Sequence, residues 1–136
     1  MKLTLPLLLI LVLLVSSCSG SSEMQSVELP TLPPDIEIYT DVDQMPEMIG
    51  GVMAIGEFLR YPNAARRDRA QGRTMVKFVV APDGRTNNLE VTRSSGRADL
   101  DKAALEAMAQ VRFEPGMENG EAVHVEMQQP VIFRLN

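Results

Sequence analysis

The sequence predicts a small α+β domain: a three-stranded antiparallel sheet with one helix packed on one face and short helices on its N-terminal side. In three segments, apolar side chains recur at about every second position, as they do in half-buried strands. Between the second and third segments, apolar residues recur at helical spacing. A chain of 136 residues, of which 45% are hydrophobic, has the length for one domain with a single modest core.

The first two strands are predicted to form an antiparallel hairpin. The first strand runs from Arg73 to Ala81, and its even positions form the face that we expect to be buried. These positions are Thr74, Val76, Phe78 and Val80. Pro82-Asp83-Gly84 supplies a turn, because proline fixes φ and glycine is free to adopt a positive φ. Leu89 and Val91 then begin the second alternating strand.

A helix and a long last strand complete the predicted sheet. The apolar face of the helix is formed by Leu100, Ala104, Met108 and Val111. Asp99 or Asp101 can cap its N-terminus. The last strand spans Ala122 to Leu135 and lies antiparallel beside the first, so the strand order is second, first, third. Pro130 cannot donate a backbone hydrogen bond, which predicts an edge strand that invites pairing with another chain.

Two short helices are predicted before the hairpin. After Gly50-Gly51, one helical face is approximated by Val52, Met53, Ile55, Phe58 and Leu59. Tyr61-Pro62 ends this helix, because the residue before a proline disfavours helical backbone. Pro62 suits the first turn of a second helix. The arginines that follow are interpreted as a solvated helix face: Arg66, Arg67 and Arg69.

Residues 1–17 have the pattern of a signal peptide. Lys2 precedes an apolar run from Leu3 to Val15, which is too short for a mature membrane-spanning helix. Val15-Ser16-Ser17-Cys18 resembles a lipobox, the signal in which the cysteine thiol takes a diacylglyceryl group. We therefore expect a lipidated Cys18 as the mature N-terminus. Residues 18–44, rich in serine, proline and acidic residues, are expected to form a flexible tether, and residues 45–136 the domain.

The formal net charge of -5 limits the classes of partner. An acidic chain repels phosphate, so the sequence predicts no nucleic-acid partner and no binding to anionic lipid that is driven by bulk charge. The chain has no Trp and only 4% aromatic residues, so few rings are available for stacking on bases or sugars.

No catalytic or metal site is predicted, and no cofactor. His124 is the only histidine, and no serine or cysteine has a nucleophile motif around it. Because Cys18 is committed to lipid, neither a Cys/His pair nor a zinc site can be assembled. One alternative is a Cu(I) site formed by Met45, Met48 and Met53, and the competing interpretation is that these methionines fill the core.

A series of short motifs runs through the second half of the chain. They are Tyr61-Pro62-Asn63-Ala64, Gly72, Val76-Lys77-Phe78, Pro82-Asp83-Gly84-Arg85, Ser94-Ser95-Gly96, Leu100-Asp101-Lys102-Ala103-Ala104-Leu105 and Arg112-Phe113-Glu114-Pro115-Gly116. In order and spacing these motifs resemble the C-terminal domain of the TonB family. The resemblance covers residues 45–136, and linked motifs are more specific than any single one.

The resemblance implies a periplasmic domain that binds outer-membrane transporters, with a transporter segment called the TonB box pairing along the last strand. The implied contact residues on that strand are Val123, His124, Val125, Glu126, Met127 and Gln128. Tyr61 and Pro62 are implied as further contacts, although Leu59-Arg60 replaces the glutamine that commonly precedes them. The alternative is that Tyr61 and Pro62 only end one helix and begin the next.

The resemblance and the lipid anchor together predict a location on the periplasmic face of the outer membrane. Ser19 stands where lipoproteins retained in the enterobacterial inner membrane have aspartate. TonB proteins couple to an inner-membrane motor through an uncleaved helix and a long linker, whereas this tether reaches at most about 90 Å. The alternatives are an energy transducer with an uncleaved leader as its anchor, and an adaptor that forms a homodimer through the last strand.

Overall fold

The computed structural model describes residues 28–136, in which helices pack on a mixed sheet. The helices are α1 (Met53–Phe58), α2 (Asn63–Arg67) and α3 (Ala98–Gln110). The strands are β1 (Ile38–Tyr39), β2 (Glu47–Met48), β3 (Gly72–Val80), β4 (Thr86–Arg93), β5 (Phe113–Glu114), β6 (Gly116–Glu118) and β7 (Glu121–Phe133). The predicted signal peptide and Cys18 lie outside the described residues. The α+β class predicted from the sequence is confirmed.

The main sheet has five strands, whereas the sequence predicts three. Its order is β1-β7-β3-β4, and β6 also pairs with β7. The three long strands are antiparallel neighbours, while β1 lies parallel to β7. The extra strands arise because β7 has 13 residues and β3 has nine. The first residues of β7 extend beyond the end of β3, and their backbone groups need other partners.

The core lies between α3 and one face of the sheet. The even positions of β3 are buried as predicted, with Val76 and Val80 at 0% exposure and Phe78 at 1%. From the helix side the core receives Leu100, Ala103, Ala104, Ala107 and Met108. Three of these five residues are alanines, whose small side chains let the helix approach the sheet closely.

The turn between β3 and β4 requires glycine. Gly84 has a φ of 82°, a backbone angle that residues with a side chain rarely adopt. Its N–H donates to the Ala81 carbonyl at 2.8 Å. The Phe113 N–H donates to the Gly84 carbonyl at 2.9 Å. A Cβ atom at position 84 would lie 2.2 Å from the Phe113 carbonyl oxygen. The turn therefore holds the start of β5 through a backbone contact that only glycine permits.

Asp101 connects β3, the loop after β4 and α3. Its carboxylate accepts hydrogen bonds from the Thr74 hydroxyl at 2.9 Å and from the Ser95 N–H and hydroxyl at 2.9 and 2.8 Å. The Ser94 hydroxyl also donates to it. The predicted cap of α3 by Asp99 or Asp101 is wrong, because Arg97 holds the N-cap position without a side-chain cap. The Asp101 carboxylate instead accepts hydrogen bonds from the loop at Ser94-Ser95.

Residues 30–44, which the sequence assigns to a flexible tether, follow a defined path over the domain. The Asn88 N–H donates to the Pro30 carbonyl at 2.9 Å, and the Leu32 N–H donates to the Asn88 side-chain oxygen at 2.8 Å. Farther along, Gln44 and Met117 exchange backbone hydrogen bonds of 3.1 and 2.8 Å. These contacts use backbone groups and one asparagine, so the proline-rich, acidic composition gives no sign of them.

Candidate functional site

The first residues of β7 already have strand partners within the chain. Val123 pairs with Gly116 of β6, and His124 pairs with Ile38 of β1. Val125 lies between Tyr39 on one side and Val80 of β3 on the other. Three of the six residues predicted to contact a partner strand are therefore engaged by this chain itself.

The rest of β7 is paired on one side only. From Glu126 to Phe133 every residue pairs with β3, and no other strand among residues 28–136 pairs with this stretch. Pro130 lies within it, as expected for an edge, and its carbonyl accepts a 3.2 Å hydrogen bond from the Gln129 side chain. Glu126–Phe133 is called the free edge below. It carries Glu126, Met127 and Gln128, the other three predicted contact residues.

An apolar hollow of about 220 Å³ lies beside the C-terminal half of the free edge. It is lined by Val52, Met53, Ile55, Gly56, Leu59, Pro130, Val131 and Ile132. Met53 is 82% exposed, Val52 66% and Ile132 45%, which is high for large apolar side chains in one place. This hollow was not predicted, because the sequence assigns Val52 and Met53 to a core-facing side of α1.

Tyr61 and Pro62 lie at the Phe133 end of β7. The Tyr61 ring packs edge-on against Phe133, with centroids 5.6 Å apart, and its hydroxyl donates to the Ala70 carbonyl. The Arg66 guanidinium lies 6.0 Å from the centroid of the Tyr61 ring. Pro62 immediately precedes α2 and keeps extended backbone, with ψ at 138°. Both residues thus have structural roles, and both line an open cleft toward α3.

The structure does not bring the two predicted groups of contact residues together. Val123 and Phe133 are ten positions apart on one strand, which corresponds to about 33 Å. A single short segment that contacts Val123 therefore ends well before Tyr61. A partner that touches both groups has to lie along most of β7.

Negative charge gathers at the N-terminal end of β7. The pKa of Tyr39 is raised above its ordinary value, chiefly by the nearby charge of Glu37, with smaller effects from burial and from Glu118 and Glu121. The Glu118 carboxylate also accepts a hydrogen bond of 2.9 Å from the Asp43 N–H. A partner strand that approached this end of β7 would meet carboxylates as well as β1.

The described residues contain no cluster of the common metal-ligating side chains. Among residues 28–136, no three His, Cys, Asp or Glu side chains come together in a way that could hold a metal ion. Of the methionines considered for Cu(I), Met48 packs against the core, whereas Met45 and Met53 are exposed. In the same part of the chain, every helix is too short or too polar to cross a membrane.

A solved structure shares this fold. The solution NMR structure of the Pseudomonas aeruginosa TonB C-terminal domain aligns with a TM-score of 0.53 and 24% sequence identity. The alignment covers 75% of this chain and 96% of that domain.

Relatives and a family model match the same region. Protein TonB of Xanthomonas campestris pv. campestris is 35% identical over 77 residues, which are 57% of this chain and 34% of that protein. Protein TonB of Haemophilus influenzae is 49% identical over 49 residues, which are 36% of this chain and 18% of that protein. The chain thus spans about a third or less of these relatives. The model for the Gram-negative bacterial TonB protein C-terminal domain matches residues 58–135, more than half of the chain, so the chain belongs to the TonB C-terminal family.

Proposed function

We propose that this protein is a lipid-anchored, non-enzymatic binding module that docks an outer-membrane transporter, or another envelope protein, by β-strand addition. Membership of the TonB C-terminal family supports a role associated with energy transduction and transport. The observation that carries the proposal is the free edge of β7, where eight consecutive residues pair with β3 alone among the described strands.

The free edge has the two properties that strand addition uses. Its outer side presents backbone groups to an incoming strand, and main-chain hydrogen bonds supply affinity whatever the sequence of that strand. The apolar hollow beside Pro130 and Ile132 supplies selectivity. Alternate side chains of an added strand point to the same face, so apolar residues at every second position of the partner fit this hollow.

The docked strand is proposed to lie farther along β7 than the sequence-based contact residues. β1 and β6 pair with Val123, His124 and Val125, so we place the partner strand on Glu126–Phe133. Glu126, Met127 and Gln128 remain in the proposed contact. Tyr61 and Pro62, at the Phe133 end, are proposed to contact a second part of the same partner.

The proposed location is the periplasmic face of the outer membrane, with lipid on Cys18 as the anchor. Mass spectrometry of the protein isolated from membranes tests this assignment. A mature chain that begins with acylated Cys18 is the expected result. A chain that retains residues 1–17 would instead favour an energy transducer with an uncleaved anchor.

A homodimer is the second candidate, because a free strand edge pairs with a copy of itself as readily as with a partner. The exposed cluster of Val52, Met53 and Ile132 would then be covered by the second copy. Sedimentation of the protein over a range of concentrations separates the two cases. A monomer at all concentrations excludes the homodimer.

A proline substitution tests the docking proposal. The intact, membrane-attached chain carrying Gln128→Pro is compared with Thr92→Pro, which changes the opposite edge strand, β4, at another exposed position. We expect Gln128→Pro to lose the captured transporter and Thr92→Pro to retain it, because only the first change interrupts the free edge. Thermal unfolding of both variants controls for misfolding. Equal capture by two equally stable variants would overturn the proposal.

A further inference from the structure

Five exposed arginines form a continuous band at one end of the molecule. Arg73 and Arg134 line one hollow at the Phe133 end of β7, and Arg69 and Arg66 line the next. Gln71 lines both hollows, and Arg66 also lines a third one, the cleft that contains Arg60. This band is called the basic pole.

The five arginines of the basic pole outnumber the side-chain carboxylates that line the same hollows, which are those of Asp99 and Glu106. None of its arginines forms a salt bridge with a residue of the described part of the chain. Asp68 lies between Arg66 and Arg69 in sequence, but its carboxylate is 2.9 Å from the Arg97 guanidinium, which also binds Asp99. The sequence-based interpretation of Arg66 and Arg69 as a solvated helix face did not include Arg73 and Arg134, which join them only in the fold.

The opposite end of β7 is acidic. Glu37, Glu118 and Glu121 surround Tyr39 there, and Asp43 contacts Glu118. Glu121 and Phe133 are 12 positions apart, so the two ends are separated by about 40 Å. The net charge of -5 therefore does not reveal that β7 runs from an acidic end to a basic end. The expectation that anionic lipid is excluded follows from bulk charge alone and does not apply to the basic pole.

Exposed aliphatic side chains lie next to the basic pole. Ile132 lines both the hollow of Arg73 and Arg134 and the apolar hollow that contains Val52 and Met53. Arginines beside protruding aliphatic residues are the pattern of a surface that rests on a membrane, where cations meet the headgroups and aliphatic chains enter the interface. Single-stranded nucleic acid is bound partly through stacking on aromatic rings, whereas the exposed apolar residues here are Val, Met and Ile.

We propose that the basic pole, together with Val52, Met53 and Ile132, is an interfacial surface for an anionic phospholipid bilayer. Attraction at this pole and repulsion at the acidic end orient the domain with the Phe133 end of β7 toward the bilayer. This interaction is separate from strand addition, because it needs no protein partner. The two share Ile132, so lipid and a docked strand compete for the apolar hollow.

The test measures how closely each end of the full chain approaches lipid. A fluorescent amino acid is placed at position 53 or, as a control at the acidic end, at position 119. The chains are bound to phosphatidylcholine vesicles with or without phosphatidylglycerol, and quenching by headgroup-labelled lipid is recorded. We expect quenching at position 53 to appear with phosphatidylglycerol and to disappear in molar salt, which screens the charges. Position 119 should stay unquenched.

A matched pair of variants assigns the effect to the basic pole. Arg69→Gln with Arg134→Gln should lower the equilibrium constant for contact between position 53 and the bilayer by roughly twenty-five-fold. Each arginine near an anionic surface contributes about fivefold. Arg85→Gln with Arg112→Gln removes the same charge elsewhere and should change nothing. The proposal would be overturned if quenching at position 53 did not depend on phosphatidylglycerol, or if the two double variants changed it equally. Binding of soluble polyglutamate without any approach to the vesicles would assign the pole to an acidic protein instead.

Discussion

Single residues with polar side chains determine how the sheet and α3 meet. Burial raises the pKa of Asp101, but hydrogen bonds from Ser94, Ser95 and Thr74 outweigh burial and hold that pKa below its ordinary value of 3.8. Because the folded pKa is the lower one, Asp101 stabilises the fold above its unfolded pKa. That contribution is lost as the pH falls through the folded pKa.

The substitution Asp101→Asn should therefore destabilise the domain by about 1–3 kcal/mol at neutral pH, because an amide brings a donor to a site filled with donors. Urea unfolding at pH 7 and at pH 3 provides the measurement. The variant should also lose less stability than the parent chain on going to pH 3. Asp41→Asn, an exposed change, is the control. A variant as stable as this control at pH 7 would contradict the role given to Asp101.

Alanine substitutions at two glycines with similar backbone angles distinguish the cost of backbone strain from the cost of a steric clash. Gly84 and Gly120 have φ values of 82° and 78°, but only Gly84 would place a Cβ atom against other atoms. Gly120→Ala should cost ~1–2 kcal/mol for the left-handed backbone. Gly84→Ala should cost about 1–3 kcal/mol more, because the Phe113 carbonyl has to move. Equal losses in thermal unfolding would show that the turn does not hold β5.

At the scale of elements, side-chain periodicity predicts the long segments and fails for the short ones. β3, β4, β7 and α3 could be located from alternation or helical spacing, because each buries one face. β1, β5 and β6 have two or three residues, too few for a pattern. β1 and β6 exist because the backbone groups of a long β7 require partners, and the choice of partner depends on the complete fold.

The apolar hollow could have been found in part from the sequence. On a helical wheel, Val52, Ile55, Phe58 and Leu59 share one face, and Met53 lies about 150° from its centre. That offset marks Met53 as an outward residue of α1. The opposing wall, Pro130 and Ile132, is adjacent only because of how α1 meets β7. A single-element pattern does not contain that information.

Removal of β1 should lengthen the free edge. Proline at both Ile38 and Tyr39 should disrupt β1 and speed hydrogen exchange at whichever amide of His124 and Val125 faces it, with a small loss of stability, about 1 kcal/mol per hydrogen bond. Thr40→Pro with Asp41→Pro, which leaves β1 intact, serves as the control. Unchanged protection of His124 and Val125 in the first variant would mean that β1 does not cover them.

At the scale of the whole molecule, the arrangement of charge matters more than its sum. Composition gives a net charge of -5, and that value was the basis for excluding phosphate-bearing partners. The fold gathers arginines from α2, β3 and the segment after β7 at one end and carboxylates at the other. Residues distant in sequence build each end, so a count of charges along the chain does not find them.

Site-specific photo-crosslinking in cells tests whether a partner strand lies on the free edge of β7. Crosslinkers are placed at Glu126, Gln128 and Ile132, with Thr92 and Asn119 as controls. We expect the three edge positions to capture successive residues of one short transporter segment, in order, and the controls to capture none. Capture from Thr92 or Asn119 alone, or no transporter from β7, would contradict docking at this edge.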